Sequence, residues 1–163
     1  MPRLASPASV LLACALLLTA GCSDDVPCTL IGAAAGVSVH VRAPLAAEAE
    51  SVELDVCWDG SCRQARAPLH PSSRPGQETC SGDTCAVQAV PTGDKNGFGD
   101  VQGLPERPVR VRLTLRGGGS EPVLERTIEV TPRGLYPNGP DCGKAGPQAV
   151  LTVAGDGTVR TGP

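Results

Sequence analysis

Two cysteine pairs, each separated by a four-residue bridge with glycine in it, constrain this chain more than any other feature. They are "CWDGSC" (residues 57 to 62) and "CSGDTC" (80 to 85). An aspartate-glycine or glycine-first dipeptide at the centre of a two-residue turn is the strongest short-range hairpin signal. With Asp59-Gly60 as the turn, Trp58 faces Ser61 and Cys57 faces Cys62. With Gly82-Asp83 as the turn, Ser81 faces Thr84 and Cys80 faces Cys85. Each cysteine couple then sits in a non-hydrogen-bonded position with Cα atoms about 4.5 Å apart, within disulfide reach. Cys28 and Cys142 remain as the third couple, tying the start of the domain to its last segment. A competing arrangement crosses Cys57 and Cys62 to Cys80 and Cys85. Zinc is a poor reading, because metal-binding pairs favour tighter Cys-x-x-Cys spacing.

The first hairpin fixes more than a disulfide. It places Glu53 opposite Arg66 and Leu54 opposite Ala65, charges on one face and aliphatics on the other, with Arg63 opposite Val56 as a misfit expected near the open end of the core. Period-two alternation recurs in "GVSVHVRA" (36 to 43), "SVELDVCW" (51 to 58), "VRVRLTLR" (109 to 116), "TIEV" (127 to 130) and "QAVLTV" (148 to 153). No window carries helical spacing. The prediction is an all-β, antiparallel, immunoglobulin-like sandwich braced by disulfides. Taking "GGGS" as a hairpin loop predicts Arg116 opposite Glu121, Arg112 opposite Glu125 and Leu113 opposite Leu124. The Pro-, Ala- and Ser-rich stretches 43 to 50 and 67 to 78 read as flexible connections. With one Trp, one Tyr and one Phe in the chain, the core rests on valine and leucine, and the bridges supply stability that aromatic burial would otherwise give.

The amino-terminal residues set the location. Arg3 is followed by an apolar run from Val10 to Leu18, about 14 Å as helix and too short to span a bilayer. The next residues, "LTAG" before Cys22, resemble the lipobox of bacterial lipoprotein precursors. That resemblance implies a signal peptide over 1 to 21 and diacylglycerol on the Cys22 sulfur; the length that remains suits a short tether over 22 to 27 and a single β domain over 28 to 163. The alternative for Cys22 is a disulfide partner or free thiol after ordinary leader cleavage. Cys14 lies in the leader and leaves with it, and export places the six remaining cysteines in an oxidising space, where an even set forms disulfides. Further stretches, "PCTLIGAAAGVSVHV", "VCWDGSC", "GFGDVQGLP" and "YPNGPDCG", resemble small actinobacterial lipoproteins of unknown function. This resemblance implies export and anchoring and brings no catalytic residue.

Function classes narrow by exclusion. A net charge of −3 offers no basic footprint for nucleic acid. His40 on a strand's polar face and His70 in a proline-rich stretch read as solvated, and no nucleophile elbow or phosphate loop is present. No cofactor and no metal are expected. In the glycine-rich stretch 91 to 105, Asp94, Asn96 and Asp100 have a loose calcium-loop spacing, but the bidentate glutamate is missing and Glu106 falls one position late. The stretch reads instead as a turn carrying Phe98 into the core or onto a partner. Together with Tyr136 and Asn138 of "YPNGPDCG", these residues form the candidate binding surface. The expected role is a non-enzymatic binding or structural module of the cell envelope, held on the extracytoplasmic face of the membrane, with an envelope component or protein as partner. Secretion without an anchor is the alternative location. An extracellular inhibitor or modulator of a secreted enzyme, presenting "CSGDTC", is the alternative role.

Overall fold

The computed structural model describes residues 28–29 and 31–162. The expected leader, the acylation site Cys22 and the tether up to residue 27 lie outside the described residues. The described residues form ten strands: β1 (Gly36–Val41), β2 (Ser51–Trp58), β3 (Ser61–Pro68), β4 (His70–Ser81), β5 (Thr84–Asp100), β6 (Val109–Arg116), β7 (Pro122–Val130), β8 (Arg133–Gly134), β9 (Pro147–Val153) and β10 (Val159–Thr161). Two sheets pack face to face. One has the order β10-β9-β1-β5-β4, with β8 also pairing β9; the other has the order β3-β2-β6-β7.

Alternation decides which side chains enter the core. Val37, Val39 and Val41 of β1 and Leu151 and Val153 of β9 meet Val52, Leu54 and Val56 of β2 and Val111, Leu113 and Leu115 of β6, all at 1 % exposure or less. On the far side of the second sheet the charges pair. Glu53 accepts from Arg116 Nε at 3.1 Å and also from Arg66, and Gln64 donates to Asp55 at 2.9 Å. β2 and β3 adopt the expected register, with Glu53 opposite Arg66, Leu54 opposite Ala65 and Cys57 opposite Cys62. Asp59 (φ 49°) and Gly60 (φ 73°) both take positive φ, which is the type I′ turn that suits a right-twisted hairpin. Arg63 lies opposite Val56 and is exposed.

All three disulfides join the expected partners: Cys28–Cys142, Cys57–Cys62 and Cys80–Cys85. Two brace hairpins within a sheet, and the third closes the chain's widest loop, with a sequence separation of 114. None bridges the two sheets, unlike the inter-sheet bridge of antibody domains.

Several sequence expectations need correction. The sandwich is not wholly antiparallel, because β1 runs parallel to β9. A parallel pair requires a long crossover, and here most of the domain serves as one. Residues 67 to 78 are not a flexible connection: Ala67 and Pro68 end β3, Ala67 and Leu69 are buried, and residues 70 to 78 belong to β4. Pro71 and Pro75 fit because β4 is an edge strand, where a missing N–H can face solvent. Residues 43 to 50 hold a short 3-10 turn (Leu45–Ala47), with Ala46 and Ala49 fully buried. The β6–β7 hairpin is offset from its expected pairing by two residues up to Leu115 and by one at Arg116. Leu115 faces Leu124, Leu113 faces Arg126 and Arg116 faces Pro122, because a register shift between Leu115 and Arg116 absorbs an extra residue. Arg112 still reaches Glu125 at 3.0 Å on the diagonal, whereas Arg116 turns to Glu53.

The largest correction concerns 91 to 105. Pro91–Asp100 is the second half of the 17-residue strand β5. Glycine at 97 and 99 concealed it, since interior glycines ordinarily weaken strands. They are required here by close sheet-to-sheet approach. A Cβ at Gly97 would stand 2.8 Å from the Pro68 carbonyl oxygen, and one at Gly99 would stand 2.7 Å from Leu54 Cδ1.

Candidate interaction surface

Because Asp94, Asn96, Phe98 and Asp100 alternate along β5, all four share the outer face of the first sheet. On a strand rising about 3.3 Å per residue, Asp94 and Asp100 stand about 20 Å apart, so they do not converge on one cation as a calcium loop would. The Asp94 carboxylate is also already engaged. It accepts from the Ala43 N–H at 2.9 Å and from Arg42 Nη1 at 2.7 Å. These contacts, the backbone N–H first, hold its pKa below the usual carboxylate range.

Cross-strand register places new neighbours beside them. His40 of β1 lies opposite Asn96, and Asn96 lies opposite His70 of β4. Both histidines of the chain therefore flank one asparagine in a single row, a placement that sequence reading missed because it depends on three strands distant in sequence. Asn96 Nδ2 donates to Ser72 Oγ at 2.8 Å, and the Thr92 hydroxyl donates to the Ser72 carbonyl at 3.2 Å. Among the described residues neither histidine side chain makes a hydrogen bond, so nothing orients either ring against a nucleophile or a carboxylate. The result is a shallow polar recess of about 470 Å³, lined by residues including His40, Arg42, Ser72, Asp94 and Asn96.

Phe98 follows a structural logic. Its ring lies over Gly36 on the neighbouring strand, where a Cβ would meet Phe98 Cζ at 2.5 Å. An aromatic covering a cross-strand glycine restores contact that the glycine cannot make. At 37 % exposure, the outer rim of the ring stays open to a partner.

Tyr136 and Asn138 belong to a different part of the surface, the segment held by the Cys28–Cys142 bridge. Asn138 Nδ2 donates to the Ile31 carbonyl at 2.8 Å, and the Thr29 hydroxyl bonds the Asn138 side-chain oxygen. Lys144 reaches Glu106 at 2.6 Å, and the Gly134 N–H donates to the same carboxylate at 3.2 Å. The Lys144 hydrogen bond, followed by that backbone donor, lowers the Glu106 pKa. Glu106 is thus a clasp between chain segments. Tyr136, half exposed, is the aromatic group presented here.

Beyond Asp94 the strands β4 and β5 leave the sandwich together. Residues 73 to 91 form a two-stranded ribbon, almost wholly exposed, closed at its tip by Cys80–Cys85. Gly82 takes φ 60° at the turn. Glu78, Cys80 and Cys85 offer ligand atoms within 4.8 Å of one another, but both sulfurs are committed to the disulfide, and a metal binds the thiolate. A second recess, about 630 Å³, opens where β7, β8, β9 and β10 meet. Val130, Leu135 and Val150 give it apolar walls, and Glu129, Arg133 and Gln148 give it polar ones. No sequence pattern marks it, since four strands each contribute a few residues.

Among the described residues no helix is long and apolar enough to cross a membrane. No protein-family profile, no curated protein and no solved structure matches this chain.

Proposed function

We propose that the chain is a membrane-anchored extracytoplasmic lipoprotein, resembling those of actinobacteria, that acts as a non-enzymatic binding or structural module of the cell envelope. The observation carrying this reading is the conjunction of a lipobox-like "LTAGC" with a domain whose six cysteines all form disulfides. Such bridges persist in oxidising compartments. A firm hold on the bilayer needs two or more acyl chains, which a diacylglyceryl Cys22 supplies; secretion of an unacylated chain is the alternative. The outer face around His40, Asn96 and Phe98 and the disulfide-held segment around Tyr136 are the surfaces offered to an envelope component or protein.

Intact-mass measurement of natively expressed protein tests the location. The expected mass is that of the chain from Cys22, plus its acyl groups, less six hydrogens for three disulfides. A retained leader with free thiols overturns it. Retention on cell-wall fragments and envelope extracts tests binding; no retained partner across salt conditions counts against it.

The second reading, an inhibitor or modulator of a secreted enzyme, is favoured by the rigid exposed tip Ser81–Thr84. It predicts inhibition of a secreted protease that vanishes when residues 81 to 84 are replaced. A panel showing no inhibition removes it.

A further inference from the structure

The two edges of the protruding ribbon are guarded unequally. Along β4, Pro71, Pro75 and two register irregularities, between Pro71 and Ser73 and between Pro75 and Glu78, interrupt any added strand. Natural proteins protect edges by such devices. The β5 edge over residues 84 to 90, "TCAVQAV", has no proline, glycine or charge. β1 covers β5 only over Lys95–Asp100, and its continuation reaches as far as Asp94 through Arg42 and Ala43. From Thr92 to Thr84 no described strand lies beside β5 on that side.

The disulfide indicates which backbone groups face this opening. Cys80 and Cys85 have Cα atoms 4.0 Å apart, the spacing of a non-hydrogen-bonded pair, whose N–H and C=O groups turn outward. Consistently, the Ala86 carbonyl faces β4, where it accepts from the Thr79 hydroxyl. Cys85, Val87 and Ala89 therefore direct their backbone donors and acceptors to the open edge.

We infer that this edge pairs antiparallel with the same edge of a second copy, about a two-fold axis at Val87, making a continuous β4-β5-β5-β4 ribbon. An isologous contact requires a self-complementary surface, and this edge is one. With Val87 against its own copy, Cys85 meets Ala89, Ala86 meets Gln88 and Thr84 meets Val90, so that no like charges oppose each other. A register with Val87 opposite Ala89 would set Cys85 against Pro91, which has no N–H to give. Val87, at 51 % exposure, is among the large apolar side chains left in solvent and sits on the axis. Seven residues per chain make a contact smaller than a standard interface, so the dissociation constant is on the order of micromolar.

The test uses the full chain with Cys14→Ser and Cys22→Ser, so that neither lipid nor a thiol outside the three disulfides contributes to association, exported to an oxidising compartment. Sedimentation velocity over about 1 to 200 µM reads a monomer–dimer equilibrium. Val87→Lys, which places two ammonium groups on the axis, weakens the dimer at least about tenfold, while Val87→Ile retains it. Because Val87 lies outside the core, both variants keep the parent circular dichroism. Under mild oxidation Val87→Cys gives a covalent dimer faster than Gln88→Cys does. A chain that stays monomeric at every concentration overturns the pairing and leaves the edge to an extended segment of another protein. A dimer indifferent to Val87→Lys overturns it as well. Neither result bears on acylation at Cys22, which the intact mass decides separately.

Discussion

Gly99 lies against Leu54: a Cβ on the glycine would stand 2.7 Å from Leu54 Cδ1 and 3.2 Å from Ala65 Cβ. Two residues back along the strand, a Cβ on Gly97 would meet the Pro68 carbonyl oxygen at 2.8 Å. Overpacking of this kind costs about 1 to 3 kcal/mol. Gly97→Ala is expected at the upper end, because a backbone carbonyl yields less readily than the end of a leucine. Gly99→Ala is expected at the lower end. Urea unfolding checks both, and a neutral Gly97→Ala would mean that the sheets are farther apart than described.

Phe98 stabilises the fold by covering Gly36. Its partly exposed ring returns less than a fully buried one, so Phe98→Ala is expected to cost about 1 to 2 kcal/mol. Phe98→Leu, which keeps some cover, should cost less. If Phe98→Ala leaves the denaturation midpoint unchanged, the ring has no packing role and only a contact role remains.

The bridges should rank by the loop they close. In the chain-entropy estimate a loop of five or six residues is worth about 2 kcal/mol and one of about 115 residues about 5 kcal/mol, before strain. Replacing Cys28 and Cys142 together by serine is therefore expected to lower stability more than replacing Cys57 and Cys62, or Cys80 and Cys85. Denaturant midpoints of the three double variants give the order. A Cys80/Cys85 variant as unstable as the Cys28/Cys142 variant would refute it.

Among the described residues five carboxylates are held below the ordinary carboxylate range by their partners. Arg116, then Arg66, lowers Glu53; Arg107 lowers Asp59; the Ala43 N–H and then Arg42 lower Asp94; Lys144 lowers Glu106; and the Thr158 N–H lowers Asp156. A depressed folded pKa means that the native state favours the ionised form. Its contribution is present above the unfolded value, about pH 4, and is lost as pH falls through the folded value. Thermal midpoints should be flat from about pH 5 to 8 and fall below about pH 4. Added salt should shrink the drop, because these pairs face solvent. A midpoint that rises on acidification would contradict the assignment.

The parts legible in the sequence were those governed by local chemistry. Asp59-Gly60 demanded a two-residue turn, and from that turn followed the register of Glu53 with Arg66 and the Cys57–Cys62 bridge. Where tertiary contact overrode local preference, sequence reading failed. Glycine at 97 and 99 signalled a loop, yet each marks a place where the opposite sheet leaves no room for a side chain. Pro71 and Pro75 signalled a connection, yet an edge strand accommodates them. One irregular residue beside Leu115 shifted the β6–β7 register. The row of His40, Asn96 and His70 exists only through pairing among strands far apart in sequence, which no local pattern encodes. The side-chain oxygens of Asp94 and Asn96 have a calcium-like spacing in the sequence, but Asp94 is held by Ala43 and Arg42, and Asn96 by Ser72.

β5 belongs half to the sandwich and half to the ribbon, and this has a mechanical consequence. β1 begins at the end of the sandwich nearest Cys28, whereas the ribbon leaves from the other end. Tension applied at the Cys80–Cys85 tip and resisted at Cys28 therefore pulls β5 and β1 in opposite directions along their own axes. The ladder from Gly36–Asp100 to Val41–Lys95 is loaded in shear, with all its bonds sharing the force, instead of being unzipped one at a time. The Cys28–Cys142 bridge carries part of the same load covalently towards β9, on the other side of β1.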